Sequence, residues 1–236
     1  MERLDKLLAA TGRWSRREVK TLVREGRVLA NGQIARSAEE KYDAETVRLA
    51  VDGEEILSRR YTDVMLHKPA GVVTATEDPR METVLDLLPQ EYRRRGLFPV
   101  GRLDRDTEGL LLLTNDGALA HELLSPKKHV DKVYFVRVAG RLEETDAEAF
   151  AAGITLEDGT VCRSAGLEIR SAGEESEALI TLREGKFHQI KRMCASRGKP
   201  VLYLKRLSMG PLTLDAALPA GQWRELTEEE SASLRK

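Results

Sequence analysis

The sequence predicts an α+β fold in two parts, a small N-terminal module and a larger domain built on a mixed, mostly antiparallel sheet. Three observations carry this. Short helical and hairpin patterns fill the first 60 residues, the strand-like runs after Asp63 do not alternate strictly with helices, and charge is sorted into blocks. The boundary is expected inside Leu57-Ser58-Arg59-Arg60-Tyr61, giving domains 1–58 and 59–236. At about 100–200 residues per domain, a chain of 236 residues accommodates a large domain with a small companion.

In the small module, Leu4, Leu7 and Leu8 share one helical face ahead of a stop at Gly12. Ser15-Arg16-Arg17-Glu18 fits a capping box, opening a helix that carries Val19, Leu22 and Val23 inward and ends at Gly26. Asn31-Gly32 between Val28-Leu29-Ala30 and Gln33-Ile34 is a hairpin signal, because both turn positions need φ > 0. Val47 to Val51 offers a further strand. In the larger part, strands are expected at Val64–Leu66, Leu110–Thr114, Val133–Val138, Leu167–Ile169, Ala178–Leu182 and Val201–Leu207. Helices are expected at Thr83–Leu88 (closed by Pro89), Ala118–Leu124 (ended by Pro126), Glu144–Ala152 and Gln189–Arg197.

Hydrophobic residues make up 41% of the chain and charged residues 33%, enough for a sizeable core under a charged surface and too apolar for wholesale disorder. The longest apolar run, Gly109-Leu110-Leu111-Leu112-Leu113, is far short of the roughly 20 residues a membrane span requires. Met1-Glu2-Arg3-Leu4-Asp5-Lys6 has no apolar signal core, and Cys162 and Cys194 alone cannot form a cysteine-rich metal site. A cytoplasmic protein is the expectation, with a monomer as its default state. The formal net charge is only −1, but residues 1–30 hold eight basic against four acidic side chains. Residues 141–182 hold three basic against ten acidic, and residues 183–206 hold eight basic against Glu184 alone. Two blocks are therefore suited to a polyanion despite the neutral total.

The most unusual segment is Gly101-Arg102-Leu103-Asp104-Arg105-Asp106-Thr107-Glu108-Gly109, three carboxylates beside two arginines in a glycine-flanked loop. A carboxylate kept ionised by neighbouring cations suits a nucleophile or a base. The same residues also suit a salt-bridged turn, and spacing alone leaves both open.

Continued through Leu110-Leu111-Leu112-Leu113-Thr114-Asn115-Asp116-Gly117, the segment closely resembles the signature of the RsuA-like pseudouridine synthases. Leu66-His67-Lys68-Pro69-Ala70-Gly71, Lys132-Val133-Tyr134 and Glu184-Gly185-Lys186-Phe187-His188-Gln189-Ile190-Lys191-Arg192-Met193 resemble three further motifs of that family, in its order. The first 50 residues resemble an S4-like RNA-binding module, through Arg3-Leu4-Asp5-Lys6-Leu7-Leu8, Ser15-Arg16-Arg17 and Gly26-Arg27-Val28-Leu29-Ala30-Asn31-Gly32.

The resemblance implies isomerisation of uridine to pseudouridine in ribosomal RNA, with base flipping and without a cofactor or metal. Asp104 would be the catalytic aspartate, Tyr134 the active-site tyrosine and Lys191 the basic partner of the aspartate. Ile190 would pack on the extruded base, and Arg102, Arg105 and Arg192 would contact substrate. Asp106 and Glu108 are read as loop-forming, and His188 as orienting the loop or touching RNA. In the S4-like module, Arg3, Lys6, Arg16, Arg17, Lys20, Arg24 and Arg27 are the RNA-binding candidates. The late basic motif and Gly221-Gln222-Trp223-Arg224-Glu225-Leu226 look most like the small-subunit (16S) branch. A 23S enzyme of the same family and a non-catalytic assembly factor are the alternatives. A glycosidic hydrolase is a third, disfavoured because no matched second carboxylate can be identified.

Overall fold

The computed structural model describes residues 1–44, 46–56, 61–125 and 128–236. The expected boundary at 58/59, the linker around it apart from Tyr61, and the helix-ending Pro126 lie outside the described residues. The chain divides into two compact units, one formed by residues 1–62, 85–98 and 114–116, the other by the remainder.

The first unit begins with β1 (Glu2–Arg3), α1 (Leu4–Ala10) and α2 (Arg16–Arg24). Ser15 caps α2, accepting from the Glu18 amide at 3.3 Å while the Glu18 carboxylate accepts from the Ser15 amide at 2.6 Å. Both halves of the expected capping box are therefore made, satisfying donors that a helix start leaves open. β2 (Val28–Ala30) and β3 (Gln33–Ile34) close on Asn31 (φ 52°) and Gly32 (φ 79°), the left-handed pair the hairpin requires. β4 (Lys41–Tyr42) pairs back on β1, and β5 (Leu49–Val51) with β6 (Glu54–Ile56) completes a sheet of order β3-β2-β5-β6. Leu4, Leu8, Val19, Val28 and Leu49 fill the core between these helices and the sheet.

The expected helix at Thr83–Leu88 is absent, and a helix, α3 (Gln90–Arg94), starts beyond it. Thr83 forms a parallel bridge with Val73, and Leu88 closes a turn onto the Leu85 carbonyl. Pro89 lacks an N–H and has φ −56°, so it opens α3 instead of closing a helix before it.

The second unit is organised on one sheet containing β7 (Asp63–Lys68), β8 (Phe98–Pro99), β9 (Glu108–Thr114) and β10 (Lys132–Ala139). A small hairpin of β11 (Ile154–Thr155) and β12 (Val161–Cys162) stands apart from it. The sheet continues through β13 (Gly166–Ser171), β14 (Glu175–Leu182), β15 (Val201–Met209), β16 (Leu212–Thr213) and β17 (Trp223–Glu225). Its main order is β13-β14-β10-β15-β9-β7-β17, and every pairing along β13-β14-β10-β15 is antiparallel. Helices α4 (Gly117–Leu124), α5 (Glu144–Ala152), α6 (Gln189–Ser196) and α7 (Glu228–Leu234) complete the unit.

β9 and β15 are parallel, meeting at Gly109 and Arg206. Gly109 has φ +104°, and a Cβ there would stand 2.2 Å from the Arg206 carbonyl oxygen. Only glycine permits this approach, which sets the strand leaving the Asp104 loop against β15. Among the described residues, no helix is long and apolar enough to cross a membrane.

Candidate active site

Asp104 sits on the loop that feeds β9, and that loop is fastened from behind. Lys68, at the end of β7, is completely buried and donates from Nζ to the carbonyls of Pro69 (2.9 Å), Arg105 (3.1 Å) and Thr107 (3.0 Å). Burial pulls its ammonium down to about pKa 8. The Gly71 amide donates to the Arg105 carbonyl at 2.8 Å, and the Thr74 hydroxyl donates to the Leu103 carbonyl at 2.7 Å. Five hydrogen bonds thus join the β7 end or its following loop to residues 103–107, four of them on Leu103 and Arg105, which flank Asp104, and they hold the turn in which it lies.

Two groups from the late basic motif face that carboxylate. Lys191 Nζ is 3.1 Å from Asp104 Oδ2, and His188 Nε2 is 3.6 Å from Asp104 Oδ1. Lys191 is shared, its Nζ lying 2.5 Å from Asp106 Oδ1. Burial works against the Lys191 ammonium, but hydrogen bonds to Asp106 and Asp104 outweigh it and hold its pKa above the ordinary value. The hydrogen bond from Lys191 in turn holds the Asp106 carboxyl below the usual range. Asp106 therefore does more than shape the loop, since it anchors the cation that faces Asp104.

Asp104 and Lys191 open into a cavity of about 650 Å³ that Tyr134, Ile190, Arg102 and Arg105 also line. Tyr134 is 8% exposed, and strand alternation places it on the same face of β10 as Lys132, another lining residue. Ile190, buried in the first turn of α6, supplies an apolar wall. Arg192 is not part of that lining, and its Nη2 lies 2.6 Å from Asp158 Oδ2. Glu108 accepts from the Tyr203 hydroxyl at 2.8 Å, away from the catalytic candidates.

The structure adds residues that sequence reasoning did not single out. Lys68 is one; it stands in the Leu66–Gly71 motif, but the motif alone assigns it no role. Arg206, within the basic block 183–206 that suits a polyanion, is instead 2% exposed and donates from Nε to the Leu110 carbonyl at 2.7 Å. Arg197 of the same stretch pairs with Asp146 at 2.9 Å. No group of three or more histidine, cysteine or acidic side chains that could hold a metal stands together among the described residues.

In the first unit the candidate cations fall into two groups. Arg3 pairs with Asp5 and Glu39, Lys6 with Glu2, Lys20 with Glu39 and Arg27 with Asp52 and Glu25. Arg16, Arg17 and Arg24 are exposed on α2, without a salt bridge among the described residues.

A compact helix-and-hairpin unit with exposed arginines and a sheet unit with a carboxylate-and-lysine cavity suit the class of enzymes that act on a polyanion such as RNA. The family described as RNA pseudouridylate synthase matches residues 62–196, and the S4 domain matches residues 2–47. The chain belongs to the RsuA-like RNA pseudouridine synthases and carries their N-terminal S4 domain. It is 48% identical to an uncharacterized RNA pseudouridine synthase, YtzG, of Bacillus subtilis, covering 97% of this chain and 96% of that one. It is 40% identical to the ribosomal small subunit pseudouridine synthase A of Vibrio cholerae, covering 99% and 100%, and 39% identical to that of Escherichia coli, covering 98% and 99%. A crystal structure described as a pseudouridylate synthase superposes with a TM-score of 0.69 at 34% identity, covering 99% of this chain and 100% of that one.

Proposed function

We propose that this enzyme isomerises uridine to pseudouridine in 16S ribosomal RNA, with Asp104 as the reacting carboxylate. The observation that carries the catalytic part is Asp104 at the cavity wall with Lys191 3.1 Å away. The reaction detaches uracil from C1′ of ribose, turns it and rejoins it through C5, so the hydrogen on C5 leaves as a proton. Every step is open to an ionised carboxylate acting as nucleophile or base, and the proposal needs no metal or cofactor. Chemistry on a stacked base requires extrusion of the nucleotide, and Tyr134 and Ile190 offer the two surfaces that would hold it. Arg102 and Arg105, exposed on the Asp104 loop, are placed to meet the flanking phosphates, with Arg192 a contact farther out.

The small-subunit assignment rests on the names carried by the Vibrio cholerae and Escherichia coli relatives. We assign RNA capture to residues 1–58 and chemistry to residues 59–236, in a monomer working in the cytoplasm. Tritium release from 16S and 23S transcripts labelled at uridine C5 tests the assignment. Release from 16S RNA is expected; release from 23S RNA alone would overturn the substrate, and release from neither would overturn the function.

Capture is tested separately. Neutralising Arg16, Arg17 and Arg24 together to glutamine should weaken RNA binding and flatten its salt dependence. Three lost phosphate contacts lower the slope of log K against log salt by about 2–3. Filter binding across a salt series reads this, and an unchanged slope would remove α2 from the RNA interface. Thermal stability should hold, because all three side chains are exposed.

A further inference from the structure

Phe187 is 69% exposed, the most exposed aromatic side chain of the described core-sized apolar residues. It is nonetheless ordered by contact: its ring stacks on His188 with centroids 3.8 Å apart and planes inclined by 18°. Both rings line the active-site cavity, and the inner member, His188, reaches toward Asp104. The turn that presents them is locked on both sides. The Gln189 side chain accepts from the Lys186 amide at 3.0 Å and donates to Glu184 at 2.7 Å, while His188 takes a left-handed φ of 47° where α6 begins. One face of Phe187 is thus covered by imidazole and the other is presented to solvent.

We propose that the open face of Phe187 stacks on the base next to the target uridine, making the Phe187–His188 pair a positioning element. This rests on the reading of the cavity as the site that receives an extruded uridine. Extrusion leaves the neighbouring base with one unstacked face, and a fixed aromatic ring at the cavity mouth replaces the lost partner. The surroundings favour this ligand: Arg102 and Arg105, exposed on the Asp104 loop and lining the same cavity, supply cations for the adjoining phosphates. The interior of the cavity already has Tyr134 and Ile190 for the target base, which leaves the rim ring for its neighbour.

Aromatic–base stacking is sequence-tolerant and accounts for about 5- to 150-fold in affinity per base, equivalent to about 1–3 kcal/mol. Phe187→Ala should therefore raise KM for the rRNA transcript by about that factor, with kcat changed by less than about threefold. Phe187→Trp should return KM to within a few-fold of the parent enzyme. The new indole also serves as a reporter: in a background carrying Asp104→Asn, rRNA should quench the emission of Phe187→Trp beyond the quench of the same protein with Phe187. An unchanged KM in Phe187→Ala, a fall in kcat as large as the rise in KM, or no additional quench overturns the proposal. The quench needs no turnover. Its presence with no tritium release from either rRNA would fail the proposed function alone, and normal release with no quench would fail only the stacking role.

Discussion

Asp104→Asn is expected to remove essentially all pseudouridine formation, a loss of at least about 10⁴-fold in kcat, with the affinity for RNA retained. Losses of this size follow when a reacting group is deleted instead of weakened. The amide is nearly isosteric, and the loop hydrogen bonds around position 104 come from Lys68, Gly71 and Thr74 to backbone oxygens, none of which the substitution touches. Lys191 also keeps Asp106 as its partner. The measurement is C5 tritium release beside filter binding on one protein preparation. Full activity in this variant would sink the assignment of Asp104.

Lys191→Met should lower kcat by about 10²- to 10³-fold, the next largest effect. Two carboxylates share this one ammonium, at 3.1 and 2.5 Å, and removing it leaves both, Asp104 at the cavity wall and Asp106 outside it, without their common counter-charge. Like charges brought together favour protonation. Asp106, now held below the usual carboxylate range by Lys191, should titrate at higher pH in the variant. An NMR titration of the Asp106 carboxylate should accordingly show its transition at higher pH in the variant than in the parent enzyme. Lys191→Arg preserves the cation and should retain activity to within about tenfold, although its planar fork cannot reproduce a point charge between two partners. An Asp106 titration unchanged in Lys191→Met would overturn this coupling.

How much of this was readable in advance follows from the range over which each feature is determined. The Ser15–Glu18 cap and the Asn31-Gly32 turn are settled by contacts three residues apart or fewer, so spelling suffices. The motif around Asp104 and the late stretch around Lys191 were identifiable, yet Asp106 and Lys191 stand 85 positions apart in sequence and gave no hint that one ammonium would serve two acids. The segment Thr83–Leu88 has helix-compatible composition, and its bridge to Val73 decides otherwise. β17 and the short β1–β4 pair went unread for the same reason: Trp223–Glu225 becomes a strand only because Val64–Leu66 lies beside it. Charge counting also overstated the free cations, since Arg3 and Arg27 are spent on local carboxylates while Arg206 is interior.

Lys68 gives the enzyme opposite responses to alkali at two scales. Its ammonium is depressed to about 8 in the fold, whereas an unfolded chain keeps the proton to about 10.4. Between those values the unfolded chain binds more protons, so this group's share of global stability increases as pH rises through about 8. A neutral amine, however, has only two N–H bonds for the three carbonyls of Pro69, Arg105 and Thr107, and one of them must go unserved. Mild alkali therefore relieves the interior of a costly charge while slackening the turn that aims Asp104. Endurance and aim part company there, and a preparation that survives best above pH 8 need not be the one that turns over fastest.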